Sequence, residues 1–319
     1  MRLFANANYD FIGRRRAAYL LSTGVLVLSL LAGAYWQVTR GSWLNYGVDF
    51  TGGTIVQVVF EHPTTVAELR EAADAVVPGT EITRFGGENE FLIRAPIFSE
   101  EGTSTVDQLI QGLSARYGEN AFEVVRTGAV GPKIGGELRQ KAVFAVLFSL
   151  AATLIYLAFR FEWRFGVAAV VATAHDVLLT IGLISALRLE VALPTVAAVL
   201  TIVGYSLNDT IVIFDRVREN LKKVGRRMEL PEILNLSINE TLPRTVLTSA
   251  TTLATLFALF VLGGSTIREF ALILLAGILI GTYSSIFVAS PVLLEIERRW
   301  KPKESGAKGS RPARAGARV

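Results

Sequence analysis

The chain has 319 residues, of which 51% are hydrophobic and only 19% are charged, and its mean hydropathy is +0.44. Soluble globular domains carry about 25% charged residues, so this composition argues against a single water-soluble domain. No cysteine is present, which excludes disulfides, thiolate metal sites and cysteine nucleophiles. The two histidines, His62 and His175, lie far apart, so we expect no histidine-based metal site. The composition predicts an integral membrane protein without a cofactor.

Six long stretches of the sequence contain few or no charged residues. Each is long enough to cross the roughly 30 Å hydrocarbon core of a bilayer as a helix. The sequence therefore predicts six transmembrane helices, within residues 17–39, 142–159, 165–187, 191–214, 245–267 and 270–294. The first stretch raises the alternative of a cleaved signal peptide, because residues 32–34 read Ala-Gly-Ala. Its apolar run exceeds the core of about 7–15 residues typical of signal peptides, so a retained anchor is favoured.

Basic residues predict the orientation of these helices. Clusters of Arg and Lys precede the first stretch and follow the second, fourth and sixth, so all of them fall on one side of the membrane. The positive-inside rule places that side, and both termini, in the cytoplasm. Residues 1–16 are then a cytoplasmic N-terminus, and residues 40–141 are extracytoplasmic. The pI near 9.4 is explained by contacts with anionic membrane lipids, and no nucleic-acid partner is predicted.

Residues 40–141 have the pattern of a small α/β domain followed by a linker. The predicted order is strand, helix, hairpin, helix and strand, which is the βαββαβ order of a ferredoxin-like fold. Thr65 and Glu68 form a capping-box pattern at the start of the first helix. The predicted elements are a strand at 53–60, a helix from 65 to about 77, strands at 81–85 and 91–95, a helix at 105–117 and a strand at 122–127. The Gly- and Pro-rich residues 131–136 are predicted to be a flexible linker.

Outside the six stretches, two further segments have a distinctive composition. Residues 295–319 are basic and poor in apolar side chains, which predicts a disordered cytoplasmic tail. A helix from Pro231 through Leu262 would be about 48 Å long, so its first part should lie along the cytoplasmic interface before the helix crosses the membrane.

Asp209 in the fourth stretch is the first candidate functional residue. A carboxylate at the centre of a span costs on the order of 3 kcal/mol, and such residues often relay protons. Arg244, next to Pro243, is the candidate partner from the fifth helix, and Thr248 lies one turn further on the same face. Two interpretations stay open: a structural ion pair that locks two helices, or a titratable carboxyl governed by burial and by a nearby guanidinium.

His175 and Asp176 form a second polar intrusion, near the middle of the third stretch. Adjacent residues of a helix point about 100° apart, so we expect the two side chains not to serve one site. A hydrogen-bonded helix-packing pair and a secondary proton relay are both compatible with the pattern. Asn208, beside Asp209, is a further candidate for such a relay or for helix packing.

Several motifs together resemble the SecF family of the Sec protein-export machinery. They are Asp-Phe-Thr-Gly-Gly-Thr at 49–54, Val-Gly-Pro-Lys-Ile-Gly-Gly-Glu-Leu at 130–138, His-Asp at 175–176, Gly-Tyr-Ser-Leu-Asn-Asp-Thr at 204–210, Phe-Asp-Arg-Val-Arg-Glu-Asn at 214–220 and Leu-Pro-Arg-Thr-Val-Leu-Thr-Ser at 242–249. They occur in order, and the resemblance spans about residues 10–300.

The resemblance implies a membrane subunit that pairs with SecD beside the SecYEG channel and promotes preprotein translocation with the proton motive force. It also implies half of a resistance-nodulation-division (RND) fold, in the cell membrane. In the family, the positions of Asp209, Arg244 and Thr248 are taken to line a proton path. The chain would then be a transport subunit and not an enzyme.

Two other functions remain as alternatives. One is half of an RND-type exporter of small molecules or lipids, which would normally carry both six-helix halves in one chain. The other is a passive scaffold that stabilises SecD or the channel without moving protons. The sequence separates the first alternative well and the second poorly.

Overall fold

The computed structural model describes residues 7–95, 105–160, 162–225, 227–263 and 265–300. Six helices in it are long and apolar enough to cross a membrane, which confirms the predicted number of spans. They are α1 (Arg15–Arg40), α5 (Pro132–Arg160), α6 (Trp163–Ala186), α7 (Leu193–Val224), α8 (Leu230–Leu262) and a sixth unit made of α9 (Ser265–Ser284), a π-helical turn (Ser285–Ala289) and α10 (Ser290–Trp300).

The segment between α1 and α5 forms the predicted α/β domain. Its sheet has the order β3-β4-β2-β5, and every neighbouring pair of strands is antiparallel. This is the strand order of a ferredoxin-like fold, with two helices covering one face. The elements are β2 (Gly53–Phe60), α3 (Val66–Asp74), β3 (Glu81–Arg84), β4 (Glu90–Ala95), α4 (Thr105–Tyr117) and β5 (Phe122–Val130). Leu69 and Leu109 from the helices pack against Val58, Phe91 and Ile93 of the strands in a fully enclosed core.

The first helix of this domain begins as predicted and ends earlier than predicted. The Glu68 backbone N–H donates to Thr65 Oγ1 at 3.3 Å, and the Thr65 N–H donates to Glu68 Oε2 at 3.0 Å, so the capping box is formed. The helix stops at Asp74 because that carboxylate accepts from both the hydroxyl and the N–H of Thr80. These two hydrogen bonds close a turn and lower the pKa of Asp74.

Two short elements connect this domain to the helices. β1 (Asn45–Tyr46) pairs in parallel with β6 (Glu190–Val191), which lies just before α7. The four-residue helix α2 (Val48–Thr51) follows β1. Residues that enter the α/β domain are therefore hydrogen-bonded to residues that lead into a transmembrane helix.

The six apolar helices form an inner and an outer set. The inner set is α6, α7 and the sixth unit, where half or more of the residues in the most apolar stretch are buried. The outer set is α1, α5 and α8, where the corresponding shares are 17%, 6% and 11%. Small residues on α6, among them Ala168, Ala169 and Ala172, are completely enclosed and allow close packing. The polar residues singled out above on α6 and α7 thus lie on the inner set.

One prediction about a connecting segment is wrong, and one boundary near the C-terminus differs from the prediction. Residues 131–136 are not a flexible linker, because α5 already begins at Pro132, a favoured residue for a first helical turn. A Cβ at Gly135 would lie 2.9 Å from the Gly52 nitrogen, so glycine there permits contact between α5 and the backbone beside α2. The tail was expected from residue 295, but α10 continues to Trp300; residues 301–319 lie outside the described part.

The first turns of α8 make polar contacts with the N-terminal segment. Asn235 Oδ1 accepts from the backbone N–H groups of Phe11 and Ile12 at 3.0 Å. Asn239 exchanges two hydrogen bonds of 2.9 Å with the backbone of Tyr9. The described part of the N-terminal segment is thereby fastened to α8.

Candidate functional site

Asp209 lies in the middle of α7 and is only 3% exposed. Its side chain has one hydrogen-bond contact among the described residues, a long one of 3.5 Å from Ser249 Oγ of α8. Ser249 in turn shares a hydrogen bond of 2.8 Å with Thr282 of α9. The carboxyl is therefore buried between three helices but weakly held, which is unusual because buried polar groups are normally well paired.

Arg244 and Asp209 do not form an ion pair, which was one of the two interpretations that the sequence left open. The two residues are on neighbouring helices, but every distance between an Arg244 nitrogen and an Asp209 carboxylate oxygen is longer than 4.0 Å. Arg244 is exposed on the outer face of α8. Thr248 is one turn away and donates its hydroxyl hydrogen to the Arg244 carbonyl at 2.8 Å. The predicted trio is thus adjacent in the fold, but it is not one hydrogen-bonded group.

Asp176 is the best-satisfied polar residue among the candidates, and it is completely buried. Its Oδ2 accepts from Ser206 of α7 at 2.5 Å and from Ser284 of α9 at 2.6 Å. Its Oδ1 lies 2.9 Å from His175 Nδ1. The carboxylate therefore joins α6 to both other inner helices, through a hydroxyl from each.

The expectation that His175 and Asp176 would serve separate sites is wrong. The two backbone positions point apart, but the His175 imidazole still reaches the neighbouring carboxylate through Nδ1. The other ring nitrogen, Nε2, is buried without a partner in the described structure. The pair forms one polar unit, in which Nδ1 holds Asp176 and Nε2 is available.

The close approach of α9 to α7 is the feature that sequence reasoning missed. Gly277 and Gly281 stand four residues apart on α9, the spacing of a Gly-x-x-x-Gly motif that lets two membrane helices approach. A Cβ at Gly281 would lie 3.1 Å from Ser206 Cβ, and one at Gly277 would overlap the Ile202 side chain. This motif could have predicted that Thr282 and Ser284 belong to the site. Neither was among the candidates.

Asn208 lies apart from these groups. It is exposed and lines a groove of about 460 Å³ between α5 and α7, opposite Tyr156. In the described structure, Asn208 therefore takes no part in the hydrogen bonds of Asp176 or in the hydrogen bond between Ser249 and Asp209. Two other hydroxyls, on Thr210 of α7 and Thr245 of α8, are buried and without a hydrogen-bond partner in the described residues.

The described residues contain no group of three or more His, Asp or Glu side chains arranged to hold a metal ion. What the site offers instead is a layer of carboxyl and hydroxyl groups across helices α6 to α9. Such a layer can exchange protons and change its hydrogen-bond partners inside a membrane. The clearest asymmetry within it is between a fully bonded Asp176 and a weakly bonded Asp209.

Two protein-family models match this chain. Residues 111–299 match the family model described as "Protein export membrane protein SecD/SecF, C-terminal", and residues 41–64 match the model of the "SecD/SecF GG Motif". The chain is 46% identical to the protein translocase subunit SecF of Gemmatimonas aurantiaca, over 99% of this chain and 95% of that protein. It is 44% identical to that of Desulfurispirillum indicum, over 92% of each.

A solved structure agrees with this comparison. The crystal structure of SecDF, a translocon-associated membrane protein from Thermus thermophilus, superposes with a TM-score of 0.80 at 42% identity, over 94% of this chain. The chain spans only 40% of the length of that SecDF protein. Since one family model covers more than half of the sequence and relatives above 40% identity cover nearly all of it, the chain belongs to the SecD/SecF family of protein-export membrane proteins.

Proposed function

We propose that this chain is the SecF-like half of a SecDF complex that uses the proton motive force to promote preprotein movement through the SecYEG channel. A relative from Thermus thermophilus is named SecDF and contains this chain's counterpart in about 40% of its length, which supports a SecD-like partner. The outer helices α5 and α8 bury little of their surface in this chain, as expected for faces that meet a second half or lipid.

One observation carries the proposal: Asp209 is buried inside the bundle, and its only hydrogen bond among the described residues is long. A structural ion pair would hold the carboxylate against a cation, yet Arg244 makes no such pair with it. A carboxyl in this setting can gain or lose a proton with little disruption of the surrounding helices. Asp209 is therefore the proposed proton carrier, with Arg244 and Thr248 on the next helix as the groups that bias its charge state.

The orientation follows from the basic clusters. Both termini are cytoplasmic and the α/β domain is external in this proposal, where it can meet an emerging preprotein. The cysteine-free chain allows a direct test with single cysteines at Glu88, exposed in the hairpin of the domain, and at Lys222, exposed near the end of α7. Membrane-impermeant reagent added from outside should label only the first. Labelling of both from outside would contradict this topology.

The available energy suits a repeated cycle of small steps. One charge crossing the membrane is worth about 2.3 kcal/mol per 100 mV, and about 1.4 kcal/mol already shifts an equilibrium tenfold. A single proton can therefore bias a two-state movement of the external domain. It cannot complete export of a long chain in one step, so many protons and many strokes are required.

The decisive experiment compares four variants of the complex, reconstituted with the SecD partner and the channel. Asp209→Asn keeps shape but cannot titrate, so we expect normal complex yield and no gradient-dependent export. Arg244→Ala should also lose export, because it removes the positive charge beside Asp209, and Arg244→Lys should recover much of it, because lysine keeps that charge and no two-donor contact is lost. The fourth variant combines Asp209→Asn with Arg244→Gln and should remain inactive.

Three alternatives predict different results. If the residues form only a structural pair, the single variants lose complex yield and the double variant restores both yield and export. If the chain is a passive scaffold, Asp209→Asn assembles and exports normally. An RND-type exporter half would show proton flux that responds to small apolar molecules and not to a preprotein.

A further inference from the structure

The segment that leads into the α/β domain is hydrogen-bonded to the residues just before α7. β1 and β6 pair in parallel, with Asn45 opposite Glu190 and Tyr46 opposite Val191. The Gly47 N–H then donates to the Val191 carbonyl at 2.9 Å. A side chain at Gly47 would displace the Glu190 carboxylate, which lies against it.

Asp49 adds a contact to α7 itself. Its Oδ2 accepts from the Leu193 backbone N–H at 2.9 Å, and Leu193 is the first residue of that helix. The first N–H groups of a helix have no partner inside the helix, and a carboxylate placed there is also favoured by the helix dipole. Pro194, the second residue, has no N–H to offer. The capping group of α7 is thus supplied by a residue of the distant α2.

A third contact comes from the sheet of the α/β domain. Arg94 on β4 forms an ion pair with Glu190, and both side chains are only 17% exposed. Thr195, in the first turn of α7, donates its hydroxyl hydrogen to the Glu190 carbonyl at 2.9 Å. Glu190 is therefore linked to the domain through its side chain and to α7 through its backbone.

From these contacts we infer that Asp49, Arg94 and Glu190 form a clasp that couples the α/β domain to α7, the helix that carries Asp209. The inference rests on the proposed function and assigns three positioning residues to it. α7 is one continuous helix, and Asp209 lies roughly 24 Å along it from Leu193. A shift of α7 that follows a change at Asp209 is transmitted to the domain because its first residue is held by the clasp.

The test uses the complex with its SecD partner and the channel in proteoliposomes under a proton gradient. The double variant Asp49→Ala with Glu190→Ala removes the cap and the ion pair. We expect at least a tenfold loss of preprotein export, while gradient-driven proton flux stays within about twofold of the unaltered complex. The reason is that a movement of α7 is then no longer transmitted to the α/β domain. Asp49→Asn is the matched control: its amide oxygen can still accept from Leu193, so export should remain near normal.

A separate readout reports the mechanical link directly. Spin labels on cysteines at Glu88 in the domain and Lys222 near the end of α7 should give one narrow distance distribution in the unaltered complex and a broad one in the double variant. Export that is unchanged in the double variant, an equal fall in flux and export, or equally narrow distance distributions would each overturn the clasp. If Asp209→Asn exports normally, the proposed function fails, and the distance measurement still decides whether the clasp exists.

Discussion

Asp176 and Asp209 are both carboxyl groups buried among apolar helices, but their surroundings differ sharply. Asp176 on α6 has a partner on each side: two serine hydroxyls, from Ser206 and Ser284, and the imidazole of His175. Among the described residues, Asp209 on α7 has a single hydrogen bond, of 3.5 Å, from a hydroxyl of α8. The first group is held by three short bonds from three sources, and the second is held by one long bond.

The difference indicates a division of roles within one polar layer. A fully bonded group resists any change in its charge or position, because each lost hydrogen bond leaves a polar atom unsatisfied in a low-dielectric region. A weakly bonded group has few hydrogen bonds to break when it gains or releases a proton. Asp176 is therefore suited to fix the three inner helices relative to each other, and Asp209 is suited to change state beside them.

The largest expected effect is on export. Asp209→Asn should abolish gradient-dependent export, whereas Asp176→Asn should retain at least half of it, since the amide oxygen can still accept from the two serines. Both complexes should assemble with normal yield, which serves as the internal control. Loss of export in an Asp176→Asn complex of normal yield would instead show that Asp176 belongs to the proton path, as the secondary-relay interpretation requires.

Stability should show the opposite ranking. Asp176→Ala removes hydrogen bonds that are worth about 0.6–1.7 kcal/mol each inside a membrane, so we expect unfolding to become easier by roughly 2–5 kcal/mol. Asp209→Ala loses one weak contact and should cost about 1 kcal/mol or less. Denaturant unfolding of the purified complex in detergent measures both values. Equal losses would show that the two carboxyls are equally important for packing.

Close packing of α9 against α7 at Gly281 completes the Asp176 site. Gly281→Val places a branched side chain where even a Cβ lies 3.1 Å from Ser206, and such overpacking costs about 1–3 kcal/mol. Gly204→Ala on α7 is the matched control, because apart from its chain neighbours and the local helix backbone no atom of the described residues lies within 4 Å of a Cβ there; the helix should be unchanged or slightly more stable. A Gly281 variant as stable as its control would show that this contact is not tight.

Local signals in the sequence were enough for much of the α/β domain. The strand at Gly53–Phe60 and the helix at Thr105–Tyr117 have the predicted limits, because β-branched residues, turn glycines and helix patterns act over a few neighbours. The same approach failed at residues 131–136, where Gly and Pro suggested flexibility. Their actual role depends on α2, which is about 80 residues away in the sequence.

The candidate site was predictable in its residues but not in its contacts. A charged residue in or beside an apolar run is visible in the sequence, so Asp176, Asp209 and Arg244 were identified as candidates. Which hydroxyls reach them depends on how far α9 is rotated against α6 and α7, and this is determined by packing at Gly277 and Gly281. The imidazole of His175 shows a related limit, since backbone periodicity gives the direction of Cβ but not the rotamer.

Asp10, which lies outside the six apolar helices, is a third carboxylate to compare with Asp176 and Asp209, and the effect expected there is the smallest. Asp10 accepts from the Gly13 N–H at 2.8 Å and from the Asn235 side chain at 2.8 Å, and these hydrogen bonds lower its pKa. A carboxyl whose pKa is lower in the folded state stabilises the docked N-terminal segment above the unfolded pKa of about 3.9, and this contribution disappears as the pH falls through the folded value. Hydrogen exchange at Phe11 and Ile12 should therefore accelerate below about pH 4, relative to an Asp10→Asn variant measured at each pH. Because the variant cannot titrate, the intrinsic pH dependence of exchange cancels in the ratio. A constant ratio from pH 6 to below pH 3 would mean that the two asparagines of α8 hold the segment without help from the charge of Asp10.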